Sequence, residues 1–461
     1  MKTLLPAQLE YLYLIIALPI IVCLIFLTPP FQVPDEGAHL LRATSILEGQ
    51  ILPVKFLPHS LGGKSPETLR QFGDLLAFRN MEMQSTPAFH AGDKAVRLDT
   101  NAVFNLHPDQ LSWSSPLSWL SFPNTAIYSP FGYLPDVVGL GLGKLAHCSI
   151  LASFYLGRLV NAGVALGCCF LALKLITRGK HLVFALLLLP LPLFFFASLS
   201  QDAALIGYSA LAVGLTNQIS DDLQATLLIQ SWRIFATQGL WIMVCLAKVV
   251  YLPFLFALPL LLYKNRALAK PAVLWAMLGT LVAILWSLYA CFLLKGIPFG
   301  YPGADTSLQI HYVVHHPMAF FQAMGAGLYH NDFYIFHLLD LLGYNLLLPT
   351  HFFEYLAVGL LLCAFNSSFR NEFPWPMKIG LISLFLLSIL GISLVLYLTY
   401  DAVGAETVNG IQARYYLPPL LFLSLILSTK TRFNLLFGLA IALFMLVDIG
   451  TLYQIALRYY Y

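Results

Sequence analysis

Residues 9–49 read LEYLYLIIALPIIVCLIFLTPPFQVPDEGAHLLRATSILEG, and the contrast between the two halves of this stretch decides the fold. From Leu9 to Leu27 the only charged side chain is Glu10, and apolar residues point in every direction, so no helix face is reserved for water. Such a run matches the roughly 20 residues that cross a bilayer. Pro29 and Pro30 end it, and at Pro34 a polar helix is expected to begin, since proline suits a first turn where its missing donor is not needed. That helix is expected to run to about Glu48 with Gly49 as its cap. Asp35 and Glu36 then fall in its first turn, and i, i+3 and i, i+4 spacing puts them beside His39 and Arg42. Acidic residues also simply suit a first turn, so spacing leaves a structural role open as well.

The apolar character recurs along the chain. Of 461 residues 59% are hydrophobic and only 10% charged, and mean hydropathy is +0.77. Soluble domains carry about 25% charged residues, so an ordinary cytosolic enzyme, a disordered chain and a nucleic-acid binder are excluded. The short alternating segments of a membrane barrel are missing too. An all-α integral membrane protein follows, one polytopic domain over residues 1–461 with about eleven transmembrane helices. The apolar runs lie near residues 9–28, 151–177, 182–199, 203–219, 234–250, 251–263, 272–294, 352–366, 377–399, 414–428 and 433–457. Lys2 before the first run resembles a secretion signal, but no small-x-small site precedes Pro29, so an uncleaved first helix is expected. The net charge of +3 implies no polyanionic partner, and the seven cysteines form neither a disulfide framework nor a CxxC metal motif.

With the amino terminus inside, the connections bearing Arg178 and Lys180, then Lys264, Arg266 and Lys270, then Arg370 and Lys378, then Lys430 and Arg432 all become cytoplasmic, in line with the positive-inside rule. The arrangement requires residues 126–147 and 333–350 to be interfacial or re-entrant. Residues 29–150 then form a large extracytoplasmic loop, expected to be a small folded cap because a structureless loop of that length is unusual. Cysteines introduced at Ser65 and Ser307 should be labelled from outside, and one at Thr431 should not. No internal repeat is visible, which weighs against an inverted-repeat transporter.

Several polar residues stand where apolar ones would cost less. Asp202 follows Ser198, Leu199 and Ser200, and Lys248 interrupts an apolar run, where an unpaired charge costs about 3 kcal/mol at mid-bilayer. Both fall toward the outer surface with Asp35, Glu36 and the loop from Asp401 to Arg414. Lys248 can instead snorkel, and Asp202 can simply cap a helix. Arg158 with Asn161, and Arg414 with Tyr415 and Tyr416, can bind phosphate or anchor span ends. Lys248 and Arg414 need a counter-charge, from Asp202 and Asp401 within the protein or from a lipid-linked phosphate, and the phosphate is the expectation. Asp448 in the last span is a relay carboxylate or a helix partner. His311, His315 and His316 have metal-like spacing but no third ligand motif nearby.

The blocks VPDEGAHLLRATSILEGQ, AIYSPFGYLPDVVG (126–139), GRLVN (157–161), SLSQDA (198–203), AKVVYLP (247–253) and GIQARYYLPPL (410–420) resemble, in order, a bacterial multipass family classed as a domain of unknown function, DUF2142. The resemblance spans nearly the whole chain; Ala413 departs from it, standing where glycine is expected. That family is similar to the GT-C glycosyltransferases, which transfer a sugar from a polyprenyl-phosphate carrier on the outer side of the membrane. The resemblance implies a GT-C-like fold and a catalytic base among Asp35 and Glu36, with His39 orienting it or touching the phosphate. It implies substrate contacts from Arg42, Arg158, Asp202, Lys248, Tyr251, Arg414 and Tyr415. The implied partners are a polyprenyl-phosphate-linked sugar donor, a cell-surface glycan acceptor and the lipid bilayer of the bacterial cytoplasmic membrane. The resemblance fixes no cofactor, and the chemistry leaves room for a divalent cation. The alternatives are a flippase for a lipid-linked precursor, which would set charges along a path through several spans, and a non-catalytic scaffold. If Asp35 or Glu36 is the base, either amide should keep the fold and abolish transfer.

Overall fold

The computed structural model describes residues 9–73, 108–297, 300–330, 335–343, 346–365, 374–426 and 435–460. Helix α1 (Leu9–Leu27) leads into a cap formed by α2 (Glu36–Leu47), the strands β1 (Val54–Leu57), β2 (Ser60–Pro66) and β3 (Leu117–Ser121), and α3 (Leu134–Leu145). The chain continues through α4 (Ile150–Leu175), α5 (Pro190–Phe196), α6 (Gln201–Gln224), α7 (Ser231–Ala247), α8 (Arg266–Leu294), α9 (Thr350–Phe365), α10 (Trp375–Thr399) and α11 (Leu435–Tyr460). The strands form one antiparallel sheet in the order β1-β2-β3. It lies wholly in the cap, and outside it the described residues are helical apart from one two-residue hairpin pair, so the all-α reading of the membrane part holds.

Five helices among the described residues, α1, α4, α8, α10 and α11, are long and apolar enough to cross a membrane, and a sixth span results if the bent pair α5 and α6 counts as one. The chain is therefore a multi-pass membrane protein. Of the remaining apolar runs, those at 203–219, 234–250 and 352–366 form the helices α6, α7 and α9, while two others are broken by proline. The run at 182–199 splits where Pro190 starts a new helix, into Lys180–Leu187 and α5. The run at 251–263 becomes a 3-10 segment, Val249–Phe256, and a short helix, Ala257–Leu261, because Pro253 cannot supply a helical donor. Among the described residues neither doubtful stretch forms a span. Residues 126–147 become α3, which packs flat against α4; a Cβ on Gly139 would lie 2.6 Å from Gly157 Cα, so only hydrogen fits that crossing. Residues 333–350 hold a 3-10 turn, Phe336–Leu338, and the hairpin pair Leu341–Leu342 and Leu346–Leu347.

The bundle's ion pairs gather at its two ends. At one end Lys180 pairs with Glu10 at 3.0 Å, Arg178 with Asp221 at 2.7 Å and Arg233 with Asp222 at 2.6 Å. Lys264, Gln224 and Pro374 line one groove there, which places the ends of α6, α8 and α10 together. This end gathers the basic connections that the sequence assigns to one side; Arg370, Lys430, Arg432 and Thr431 lie outside the described residues. Ser65, chosen as a labelling position, is fully buried in β2.

Candidate active site

The opposite end is organised by a break in a helix. The axes of α5 and α6 differ by 118°, and residues 197–200 between them leave the helical ladder. Freed backbone groups at membrane depth must find partners inside the protein. Asn161 Nδ2 donates to the carbonyls of Ser198 at 2.9 Å and Ser200 at 2.8 Å, while the Leu199 amide donates to Glu36 Oε1 at 2.9 Å. The end of α1 is closed in the same way. Arg158 Nη1 donates to the carbonyls of Ile25 at 2.8 Å and Thr28 at 2.7 Å, and Nη2 to that of Pro29 at 3.3 Å.

Arg158 and Glu36 join these two repairs. Glu36 Oε1 accepts from Arg158 Nε at 2.8 Å, and Oε2 accepts from Arg158 Nη2 at 2.7 Å and from the Phe31 amide at 2.9 Å. With Leu199 the carboxylate receives four hydrogen bonds, which fills its acceptor capacity, and the guanidinium uses its N–H groups on protein oxygens. Both side chains are fully buried. Glu36 and Arg158 thus form an internal clamp, with no lone pair or donor turned toward a ligand.

Asp35 points the other way. It is not in the first turn of α2, as expected, but precedes the helix with φ 63°, and Phe31 likewise has φ 67°. Two left-handed residues within five turn neighbouring carboxylates apart, Glu36 inward and Asp35 into a cavity. Asp35 Oδ1 accepts from Asn124 Nδ2 at 3.0 Å and Oδ2 from Arg414 Nη2 at 3.1 Å, and a third of the side chain stays exposed. Arg414 Nε lies 3.2 Å from Asp202 Oδ2, and Lys248 Nζ bonds Asp202 Oδ1 at 2.7 Å. Two carboxylates and two cations therefore balance in one cluster. The counter-charge of Lys248 and Arg414 is internal, contrary to expectation, because the helix break brings Asp202 to their level. Asp401, the other acidic candidate, instead accepts from the amide and side chain of Asn409 in its own loop.

The other expected residues take supporting positions. His39 Nδ1 hydrogen-bonds the Tyr133 hydroxyl at 2.7 Å, and burial lowers its pKa from 6.5 to about 4, with Asp202 and Asp35 pulling the other way. The imidazole is thus neutral at pH 7. Arg42 is buried and donates to the carbonyls of Ile51 at 2.9 Å and Tyr128 at 3.1 Å, so it ties cap loops together rather than facing the cavity. Tyr251 is also buried, its hydroxyl donating to the carbonyl of Tyr415 at 2.9 Å. The Tyr415 ring supports Lys248, whose Nζ lies 4.1 Å from the ring centroid. Ala413 sits in a 3-10 turn and is not among the residues with positive φ, so that position does not call for glycine. Asn124 was not legible as a site residue, because nothing in a Pro-Asn-Thr helix start signals a carboxylate 89 positions away.

A cavity of about 510 Å³ opens beside this cluster. Asp35, Lys248, Tyr128 and Gln412 give it polar lining, and Trp286 and Leu294 of α8 with Ile392 and Leu396 of α10 give it apolar lining. These two helices have the barest surfaces of the five spans, with only 17% and 22% of their most apolar stretches buried. Both pack on the 3-10 segment Val249–Phe256, which floors the gap between them. Chemically, the chamber offers a partly exposed carboxylate, an ammonium and an apolar corridor toward lipid. Among the described residues no group of three or more His, Cys, Asp or Glu side chains gathers to hold a metal. A divalent cation between Asp35 and Asp202 would have to compete with Arg414 and Lys248, so the residues present do not fit one there.

Comparison with curated proteins and with solved structures yields no match. The family model described as "Predicted membrane protein (DUF2142)" covers residues 18–423. With the bent span, the clamp and the charged cluster all falling inside that match, the chain belongs to the DUF2142 family of membrane proteins.

Proposed function

We propose that the protein is a glycosyltransferase of the bacterial cytoplasmic membrane, with about eleven membrane-crossing or membrane-entering segments in a GT-C-like arrangement. It takes a sugar from a polyprenyl-phosphate carrier and transfers it to a cell-surface glycan on the extracytoplasmic side. The observation that carries this reading is the amphiphilic cavity, since a lipid-linked sugar needs a charged end and an apolar corridor in one continuous space. Asp35 is the base. An acceptor hydroxyl has a pKa far above 7, so its proton must leave as the bond to the anomeric carbon forms, and a placed carboxylate is worth roughly 10² to 10⁴ in rate. Glu36, with its lone pairs filled, holds the clamp instead. The phosphate departs with its negative charge, and Lys248, which spends one N–H on Asp202, turns its remaining donors to the cavity to stabilise it. His39 stays neutral and braces α2 through Tyr133.

Purified protein should transfer sugar from a defined polyprenyl-phosphate donor. Asp35→Asn should lower turnover at least a hundredfold while leaving the melting temperature within a few degrees. Full turnover by Asp35→Asn would refute the assignment of the base. Failure of every polyprenyl-phosphate sugar to react, with stable protein, would refute the transferase reading.

A further inference from the structure

A second cavity, of about 630 Å³, lies on the other side of Asp35, within the cap. Among the described residues only Asp35 and Asn124 line both cavities, so their 3.0 Å hydrogen bond forms the partition between a chamber facing lipid and a chamber facing the sheet. The wall of the second chamber differs in chemistry from the first. Phe56 of β1 and Trp119 of β3 line it and stack on one another, with ring centroids 5.2 Å apart and planes inclined by 22°. Trp119 remains 41% exposed, and Lys64 Nζ lies 5.3 Å from its ring centroid and tethers it. Around this aromatic pair stand the hydroxyls of Ser60 and Ser121, the Asn124 amide and Asp35. Arg70, the arginine among the described lining residues, is engaged by Glu67 at 2.5 Å.

We propose that this second chamber is a saccharide-binding site, and that its occupant is the acceptor glycan. Sugar rings present an apolar C–H surface and a rim of hydroxyls. An exposed aromatic pair beside hydroxyl, amide and carboxylate groups answers both. A polyanion is disfavoured by Asp35 in the wall and by the engagement of Arg70. An isoprenoid tail finds its apolar match in the other chamber. The volume lies in the range of small-ligand sites and holds a short length of glycan. A saccharide hydroxyl lodged here meets Asp35 from the cap side while the donor sugar meets it from the membrane side. On reaction the acceptor oxygen bonds to the anomeric carbon, the bond from that carbon to the phosphate oxygen breaks, and the acceptor proton passes to Asp35.

The acceptor role rests on the transferase reading; saccharide binding does not. Full-length protein in detergent would be titrated by saturation-transfer NMR with neutral trisaccharides built from glucose, mannose, galactose and N-acetylglucosamine, and separately with farnesyl phosphate. At least one trisaccharide should bind the wild type, bind Trp119→Ala at least tenfold more weakly, and fail to bind Ser121→Trp, which fills the chamber from the end of β3. Lys248→Ala should leave trisaccharide binding unchanged and weaken farnesyl phosphate. Trisaccharides that all fail to bind the wild type, or that bind both cap variants equally well, would overturn the saccharide site. If trisaccharide binds as expected but no polyprenyl-phosphate sugar is turned over, the transferase reading and the acceptor role fall and the saccharide site stands. If transfer proceeds with the same acceptor KM in wild type and both cap variants, the chamber is wrong and the transferase reading stands.

Discussion

Two adjacent carboxylates, Asp35 and Glu36, show how backbone conformation assigns opposite roles to similar side chains. Position in sequence made them equivalent, and the left-handed turn at Asp35 separates them. Glu36 is locked by Arg158 within the protein. Removing the charge of one partner leaves the other buried and unpaired, which costs about 3 to 5 kcal/mol. Glu36→Gln should therefore fail to keep the fold, unlike Asp35→Asn, and should lower the melting temperature in detergent markedly; equal melting of the two amides would show that the clamp carries little stability. His39 gives a second signature. Its folded pKa of about 4 lies below the ordinary 6.5, so the unfolded chain binds a proton that the folded protein refuses. The stability tied to this group is complete above pH 6.5 and is lost as pH falls toward 4, by about 3 kcal/mol in total. Melting temperature should fall between pH 7 and pH 4.5, and His39→Gln, which removes the titrating ring, should flatten that fall. Parallel curves for both proteins would assign the acid sensitivity elsewhere.

At the level of elements, the break between α5 and α6 is the feature on which the site depends. It ends one helix and starts another at a steep angle, and so delivers Asp202 to the cluster. Its cost is met by Asn161, one side chain serving two carbonyls. Asn161→Leu keeps the approximate volume and strands both, each worth about 1 to 3 kcal/mol when buried. Thermal melting should show that loss, while Asn161→Asp, which lacks the amide donor, should do no better; wild-type stability in the leucine variant would mean the break needs no brace. Much of this was visible in the sequence and some was not. Apolar runs announce membrane helices because lipid selects composition directly, and α1, α4, α8, α10 and α11 appear where they were read. Whether an apolar run is one span or two pieces depends on tertiary partners, so the division around Pro190 and the 3-10 turn at Pro253 could not be read from hydropathy. The three short strands of the cap escaped because four to seven residues with mixed burial carry little periodic signal. Candidate residues fared similarly. Asp35, Asp202, Lys248 and Arg414 do meet, and their sequence blocks pointed there, but that Arg158, Arg42 and Tyr251 turn inward is set by partners distant in the chain.

For the molecule as a whole, the two charged ends define an orientation. The end with Glu10, Arg178, Lys180 and Asp221 carries the basic connections, and from the positive-inside rule we propose that it faces the cytoplasm. In a cysteine-free background, Lys64→Cys and Ser307→Cys, exposed in the cap and in the helix Thr306–His315 that follows α8, should react with an impermeant thiol reagent in intact cells. Lys264→Cys, exposed at the start of α8, should react only after permeabilisation. The reverse pattern would invert the protein. The Asp35–Asn124 hydrogen bond carries a consequence of another kind, because it belongs to the walls of two chambers at once. A ligand that strengthens or loosens that bond from one side changes the free energy of binding on the other, and linkage makes the two effects equal in size. One side-chain contact is then enough for each chamber to register the occupancy of its neighbour, with no helix required to move.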